Sequence, residues 1–194
     1  WANTLKGISL MRGLYIGRFQ PYHLGHQAVL EEISREVDEI VIVIGSAQES
    51  HDPEDPFTSG ERMEMIYAAL GKGELRKKCI VTTLQDINRN SLWVSHLQSM
   101  VPCFDLVYSN NPLVIRLFVE AGVEVKKPPL YQRDVYSGSA IRALMREGGD
   151  WERLVPPSVA EFIREIGGVE RLCQVSRSDS AYSQDGAMYN SSMI

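Results

Sequence analysis

Short apolar runs alternate with amphipathic stretches along most of this chain. The runs over residues 14–16, 40–44, 79–84, 105–108 and 123–125 predict strands, and the run at 40–44 is apolar at every position, as in a strand buried on both faces. Apolar residues recur at helical spacing over 27–37, and helices are also predicted over 91–101 and 112–121. This alternation predicts an α/β fold built on a parallel sheet with right-handed crossovers.

Polar residues and glycines follow several of these predicted strands directly. The carboxyl ends of parallel strands meet at one edge of a sheet, where ligands bind at the topological switch point, so these residues are expected in one cleft. In chain order they are Gly17, Arg18, His23, Gly25 and His26, then Asp86 and Asn90, then Asn111, and last the loop from Ser137. The chain is therefore predicted to be a Rossmann-like, doubly wound parallel sheet in a single domain.

The stretch after the first strand has the composition of a phosphate site. Gly17 allows a sharp turn at the strand end, and a helix is predicted to begin near His23 and His26, where unpaired backbone N–H groups attract anions and Gly25 leaves room for a phosphate. The two histidines can each donate to an anionic oxygen, and Arg18 can add a bidentate contact. A lone histidine is more often a core or surface residue, but the combination within nine residues favours phosphate binding.

A second helix start carries similar residues. Ser137, Gly138 and Ser139 open a helix with Arg142 one turn in, which suits a phosphate, although small residues at this place also serve as simple N-caps. The residues alone leave both interpretations open.

One tryptophan lies beside polar residues that could recognise a heterocycle. Asp86 and Asn90 precede Trp93, and a carboxylate and an amide next to an aromatic face could hold and stack a ring that bears an amide and a ribose. The alternative is that Trp93 packs in the core with its helical neighbours.

A capping box is predicted at Thr58 and Glu61, at the end of a long polar loop. Arg62 then falls in the first turn of a helix, where a cation is unfavourable unless an anion lies nearby. Either an anion site or a solvated surface arginine is consistent with this position.

Composition narrows the classes of function. The 194 residues are 44% hydrophobic and 23% charged, as in ordinary soluble globular proteins, and the net charge of -5 indicates no broad basic surface for nucleic acid. The three cysteines, Cys79, Cys103 and Cys173, have no C-x-x-C spacing, which argues against a disulfide framework or a zinc site and fits a reducing cytoplasm. No apolar run approaches the roughly 18 residues of a membrane span.

The two ends of the chain differ from its middle. Residues 1–10 precede a methionine that could be a natural start, so they are interpreted as a leader, and residues 11–172 as the domain. Residues 173–194 are rich in serine and have no hydrophobic period, which predicts a mobile tail.

Two motifs in this sequence resemble those of a known superfamily. Residues 17–26 read GRFQPYHLGH, which resembles the H-x-G-H signature of nucleotidylyltransferases in the form found in archaeal nicotinamide mononucleotide adenylyltransferases. Residues 137–142 resemble the second signature, Ser-x-x-x-x-Arg. Two details depart from the family: Asn110 replaces a glycine in Ser-Gly-Asn-Pro, and Ser139 replaces a threonine. Asparagine tolerates a left-handed backbone and serine keeps the hydroxyl, so neither change removes a needed group.

The resemblance implies transfer of the adenylyl group of ATP to nicotinamide mononucleotide, giving NAD and pyrophosphate, with Mg²⁺ carried by the ATP phosphates and no metal held by the protein. It also implies a homohexamer. The implied catalytic residues are His23, His26, Arg18 and Arg142. The implied ATP- and phosphate-binding residues are Gly17, Arg18, Phe19, Gly25, His26, Ser137, Gly138, Ser139 and Arg142. The implied nicotinamide-nucleotide-binding residues are Asp86, Asn90, Trp93 and Asn111.

Three other functions are considered beside this one. The acceptor could be flavin mononucleotide or phosphopantetheine, or the chain could be a nucleotide-binding regulatory module that has lost turnover. A tRNA synthetase fragment is disfavoured because the chain offers no basic surface and no second domain for tRNA.

Overall fold

The structure, a computed structural model, describes the backbone of residues 4–5, 8–129, 131 and 135–184, and the side chains of residues 10–129, 131 and 135–177. In chain order its elements are β1 (Thr4–Leu5), β2 (Ile8–Ser9), β3 (Arg12–Gly17), α1 (Leu24–Glu36), β4 (Glu39–Ile44), α2 (Ser59–Leu70), α3 (Glu74–Lys78), β5 (Cys79–Thr83), α4 (Asn90–Met100), β6 (Leu106–Tyr108), α5 (Pro112–Glu120), β7 (Glu124–Lys126), α6 (Gly138–Glu147), a 3₁₀ turn (Glu152–Leu154), α7 (Pro157–Glu165) and α8 (Gly168–Gln184).

A parallel sheet with the strand order β5-β4-β3-β6-β7 confirms the predicted doubly wound fold. The chain winds outward from β3 through β4 to β5, then crosses to the other side of β3 and continues through β6 to β7. The direction of winding therefore reverses between β3 and β6. Gly17 pairs with Ile44, and Ile44 pairs with Thr83, so the strand ends are aligned and the loops that follow them meet at one edge.

Strand β4 shows why the sheet is covered on both faces. Ile40, Ile42 and Ile44 pack into a core cluster with residues of α1, α2 and α7, whereas Val41 and Val43 pack into a second cluster with residues of α4 and α5. All five side chains are 0% exposed. Burial of each contributes about 1.5–3 kcal/mol, which explains why the sequence is apolar at every position of this strand.

The predicted capping box at the start of α2 is present. The Thr58 hydroxyl accepts from the Glu61 backbone N–H at 3.2 Å, and the Glu61 carboxylate accepts from the Thr58 N–H at 2.9 Å. The same carboxylate pairs with Arg171 of α8 at 2.7 Å, so the cap also ties the C-terminal helix to α2.

The two ends of the chain hold elements that the sequence did not predict. Within residues 1–10, β1 and β2 form an antiparallel pair, while residues 1–3 and 6–7 lie outside the described part; a leader stays a prediction. Beyond α7 a further helix, α8, begins at Gly168 and buries Leu172 completely. Helix α8 runs through the first part of the predicted tail, and residues 185–194 lie outside the described part.

No helix within the described residues is long and apolar enough to cross a membrane.

Candidate active site

Three connected cavities open at the carboxyl edge of the sheet. The tyrosine cavity, of about 330 Å³, is named for Tyr15, Tyr131 and Tyr136 in its wall. The tryptophan cavity, of about 490 Å³, contains Trp93, and the arginine cavity, of about 400 Å³, contains Arg142. Each falls within or near the size range of small-molecule sites, roughly 300–1,000 Å³.

Most of the residues that line two cavities at once are predicted site residues; Ile16 and Ser109 are the others among the described residues. His23, His26 and Gly138 line both the tyrosine and the arginine cavity, and Arg18 lines both the arginine and the tryptophan cavity. Asn111 lines both the tyrosine and the tryptophan cavity. The cleft expected at the switch point therefore exists, and the histidines lie where two of its parts join.

The two histidines hold each other in place. His23 is the N-cap of α1, and its Nδ1 accepts from the His26 backbone N–H at 3.3 Å, while His26 Nδ1 accepts from the His23 N–H at 3.2 Å. The rings stack with their centroids 3.6 Å apart. Because each Nδ1 is an acceptor, each neutral ring carries its proton on Nε2, and that N–H is the group that can donate to a ligand.

Burial keeps both rings neutral. It lowers the pKa of His23 from 6.5 to about 4 and lowers the pKa of His26 well below 6.5, an effect that the neighbouring His23 strengthens. At neutral pH the two histidines are thus uncharged hydrogen-bond donors. The positively charged side chains that the protein itself contributes to the arginine cavity are Arg18 and Arg142.

The glycines near these histidines act differently from what the sequence predicted. A Cβ on Gly25 would lie 2.9 Å from the Cβ of Tyr136 and 3.0 Å from His23 Nδ1, so this glycine makes room for protein atoms; it also lines the tyrosine cavity, and its predicted role at a phosphate stays a prediction. The left-handed backbone after β3 falls on Phe19, with a φ of 54°, and not on Gly17. A Cβ on Gly17 would lie 3.1 Å from the Phe19 ring, so Gly17 is needed for this close approach.

Arg142 is buried at the floor of the arginine cavity. The residue as a whole is 2% exposed. Its Nη1 donates to the Gln20 carbonyl at 2.8 Å, and its Nε donates to the Pro53 carbonyl at 3.1 Å. Its Nη2 donates to the Glu54 carboxylate at 2.5 Å. Arg142 therefore lines the arginine cavity, and Nη2, the guanidinium nitrogen with no backbone contact described, already pairs with a carboxylate of the protein. Its role as a triphosphate clamp stays a prediction.

The second signature serves first as a helix cap. The Ser137 hydroxyl accepts from the Ala140 N–H at 3.3 Å, and a Cβ on Gly138 would lie 2.8 Å from the Gln20 carbonyl oxygen. Ser139 is exposed and lines the arginine cavity beside Gly138. Ser137 is thus an N-cap that also lines the tyrosine cavity, and Gly138 and Ser139 line the arginine cavity. Phosphate binding by this stretch stays a prediction.

Arg62 has neither of the two roles considered for it. It is 0% exposed, and its guanidinium donates to the backbone carbonyls of Arg18, Gly45, Ser46, Glu49 and Thr58 at 3.0 to 3.3 Å. Neighbouring carbonyl oxygens therefore take the place of the predicted anion. Arg62 anchors the loops that follow β3 and β4, which carry Arg18 and Glu54.

Trp93 packs against the core and also lines a cavity, so its predicted stacking on a heterocycle stays a prediction. Trp93 is half-buried, and its ring contacts the Phe118 ring of the core edge-on, with the ring centroids 5.8 Å apart. It also lines the tryptophan cavity. Asp86, which accepts from the Ser46 hydroxyl at 2.7 Å, and Asn90 line the same cavity. The Asn111 Oδ1 caps α5 by accepting from Leu113 N–H at 2.9 Å, so its amide nitrogen is the group that can meet a ligand.

Sequence reasoning missed some lining residues. Glu54, which lines the arginine cavity, and Asp55, which pairs with Arg18, lie in the long polar loop before α2, and nothing in the sequence distinguished them from its other acidic residues. Asn88, in the tryptophan cavity, has a φ of 51°, and an asparagine between a strand and a helix is the signal that could have found it. Among the described residues, no group of three or more histidines, cysteines or carboxylates lies together to hold a metal ion.

The chain matches a known protein family and resembles proteins of known name. Residues 14–144 match the model of the cytidylyltransferase-like family. The chain is 62% identical over 172 residues to the nicotinamide-nucleotide adenylyltransferase of Methanothrix thermoacetophila, in a match that covers 89% of this chain and 100% of that relative. It is 55% identical over 173 residues to the enzyme of the same name from Methanolobus tindarius, covering 89% of this chain and 99% of the relative.

Solved structures show the same fold at low identity. A bifunctional NMN adenylyltransferase/ADP ribose pyrophosphatase from Francisella tularensis, complexed with AMP and a manganese ion, matches with a TM-score of 0.70 and 17% identity, over 90% of this chain and 55% of that longer protein. A nicotinic acid mononucleotide adenylyltransferase from Plasmodium falciparum matches with a TM-score of 0.57 and 13% identity, over 83% of this chain and 98% of that one.

Proposed function

The chain belongs to the nicotinamide-nucleotide adenylyltransferases, within the cytidylyltransferase-like family, and from this we infer that its cleft transfers the adenylyl group of ATP to nicotinamide mononucleotide, giving NAD and pyrophosphate. The observation that carries the proposal is the position of His23 and His26 between two cavities of different chemistry. One cavity is lined with tyrosines, and the other has two arginines.

Each cavity suits one part of the reacting molecules. We assign the adenosine of ATP to the tyrosine cavity, because aromatic and apolar side chains there can cover a purine. The tryptophan cavity suits the nicotinamide nucleotide, whose cationic ring can stack on Trp93 and whose amide and ribose can meet Asp86, Asn90 and Asn111. The arginine cavity suits the β- and γ-phosphates, which leave as pyrophosphate.

In this arrangement the α-phosphate of ATP lies where the cavities meet. A 5′-phosphate oxygen of the mononucleotide attacks the α-phosphorus in line, and the bond from that phosphorus to the oxygen bridging to the β-phosphate breaks. The bridging oxygen departs with the pyrophosphate, and no covalent enzyme intermediate forms. The protein's part is alignment and charge stabilisation.

The histidines supply uncharged donors at that phosphate. Their Nε2–H groups are fixed before substrate arrives, so they need no reorganisation as charge develops on the equatorial oxygens. Arg18, which lines both phosphate-bearing cavities, can bridge the acceptor phosphate and the triphosphate.

A divalent cation fits this site when it is coordinated by the phosphates of ATP. Among the residues that the structure describes, two arginines and one carboxylate, that of Glu54, line the arginine cavity, which suits phosphate oxygens better than a bare cation. We propose Mg²⁺, carried by phosphate oxygens and water, where it would offset charge on the leaving pyrophosphate. A homohexamer in the cytoplasm likewise stays a prediction from the family resemblance.

Product analysis tests the proposal directly. The purified chain, incubated with ATP, Mg²⁺ and nicotinamide mononucleotide, should form NAD and pyrophosphate in equal amounts, as measured by chromatography. Flavin mononucleotide and phosphopantetheine, offered in parallel, should give no adenylylated product. Adenylylation of either would change the acceptor, and no pyrophosphate with any acceptor would favour a binding module that has lost turnover.

A further inference from the structure

Both arginines of the arginine cavity already pair with carboxylates of the protein. Arg142 donates to the Glu54 carboxylate at 2.5 Å, and Arg18 donates to the Asp55 carboxylate at 3.1 Å. Two consecutive acidic residues of one loop therefore neutralise the two arginines that the proposed function gives to the triphosphate. A phosphate can take the place on Nη2 of Arg142 only if the Glu54 carboxylate gives way, whereas the Arg18 side chain is 52% exposed and has guanidinium donors beyond its contact with Asp55.

The two carboxylates are not equally able to move. The Asp55 side chain is only 9% exposed, whereas the Glu54 side chain is 64% exposed although its partner Arg142 is 3% exposed. Glu54 thus reaches from solvent to cover a buried guanidinium. An exposed side chain can leave such a pair at small cost, because water takes over its hydrogen bonds.

The backbone of this loop is held in place independently of the ion pair. The Asp52 carboxylate accepts from the backbone N–H groups of Glu54 at 2.8 Å and Asp55 at 2.7 Å. Arg142 is likewise fixed by the Gln20 and Pro53 carbonyls. A change in the rotamer of Glu54 alone would therefore expose Nη2 of Arg142, with no movement of the loop.

We propose that Glu54 is an internal competitor for the triphosphate: its carboxylate occupies the phosphate position on Arg142, and ATP binds by displacing it. This inference rests on the proposed function of the cavity. Asp55 stays as the permanent partner of Arg18, and Glu54 sets the affinity for phosphate. It also keeps the buried guanidinium paired while the site is empty.

Binding of inorganic tripolyphosphate to the full chain tests the competitor role of Glu54. It needs no nicotinamide mononucleotide and no adenylyl transfer. Calorimetric titration in the absence of divalent metal should show that Glu54→Gln binds tripolyphosphate about three- to tenfold more tightly than the wild type, since a competing ion pair is removed. Glu49→Gln is the matched control: it removes the same charge from the same loop, and the Glu49 side chain contacts only the neighbouring Gln48 amide among the hydrogen bonds described. Adenosine, which has no phosphate, should bind both variants and the wild type alike.

Two results would overturn the competitor role. If Glu54→Gln and Glu49→Gln raise the affinity for tripolyphosphate equally, the effect comes from net charge alone. If Glu54→Gln lowers that affinity, Glu54 helps to bind the phosphates and does not compete with them. Thermal unfolding of each variant shows that it is folded. Formation of NAD is measured separately, so failure of the adenylyl transfer and failure of the competitor role give different results.

Discussion

At the scale of single residues, His23 and His26 each do two things with one ring. Nδ1 completes the cap of α1, and Nε2 faces the cavities as a donor. Structural and functional roles are therefore divided between the two nitrogens of the same imidazole. Amide side chains can separate these roles, because asparagine places its amide near the position of Nδ1 and glutamine places it near Nε2.

His26→Asn should keep the cap and lose the phosphate donor, whereas His26→Gln should keep the donor and lose the cap. We expect turnover to fall by roughly a hundredfold or more in His26→Asn, as for loss of one transition-state donor. His26→Gln should retain more activity and lose about 0.5–2 kcal/mol of unfolding free energy. Steady-state kinetics and urea denaturation measure the two effects, and the opposite ranking would reverse the assignment of the nitrogens.

Trp93→Ala should weaken binding of nicotinamide mononucleotide by about 1–3 kcal/mol, the scale of base stacking on aromatic residues. ATP binding should hardly change, because Trp93 lines neither of the two cavities assigned to ATP. Trp93→Phe keeps a ring against Phe118 and should recover part of the affinity. Separate titrations with each ligand make the comparison, and unchanged mononucleotide affinity in a folded Trp93→Ala variant would leave Trp93 with only its core role.

At the scale of elements, the sequence predicted what depends on local periodicity. The strands of the sheet and the helices α1, α4 and α5 follow from apolar spacing, and their observed bounds lie within a few residues of those predicted. Helix α3 was missed because its sequence, ELRKK, has no apolar residue beyond one leucine and buries none. Helix α8 was missed because Val169 and Leu172 are separated from α7 by two glycines, which usually end a helical segment.

The predicted tail leads to a prediction for α8. A chain truncated after Cys173 removes no described core residue, because Leu172 and the pair of Arg171 with Glu61 remain. We expect its melting temperature and activity to stay close to those of the full chain. Truncation after Gly167, which removes Leu172 as well, is the contrasting variant and should destabilise the fold. A large loss in the first truncation would show that the tail docks.

At the scale of the whole molecule, the site could be predicted in position but not in detail. The topology of a parallel sheet brings the strand ends together whatever their side chains, so His23, Arg18, Asn111 and Arg142 could be expected in one cleft. The pairing of Glu54 with Arg142 joins residues 88 positions apart in the chain, and the carbonyls around Arg62 come from two loops. Such contacts depend on packing, for which a single sequence has no periodic signal.

Stability should depend on pH through the buried histidines. The pKa of His23 is about 4 in the folded chain against its ordinary 6.5, so between these values the unfolded chain binds more protons and the unfolding free energy rises with pH. The stabilising contribution is full above pH 6.5 and is lost as the pH falls to about 4. Urea denaturation across this range should be less pH-dependent in His23→Asn, which keeps a good capping residue. His51→Asn, in an exposed loop, is the control, and an equal change in both variants would contradict this origin.

Arg62 also bears on what protein engineering can change in this enzyme. Its guanidinium contacts the carbonyl oxygens of Gly45, Ser46 and Glu49 and uses none of their side chains. Substitutions at Ser46, which lines the tryptophan cavity, can therefore alter its wall while the anchor survives. Insertions or deletions in that stretch would shift these carbonyls away from Arg62. The contact between Arg62 and the Arg18 carbonyl, which helps to hold Arg18 in place, would then be lost as well. Libraries aimed at new acceptors should vary composition here and hold loop length constant.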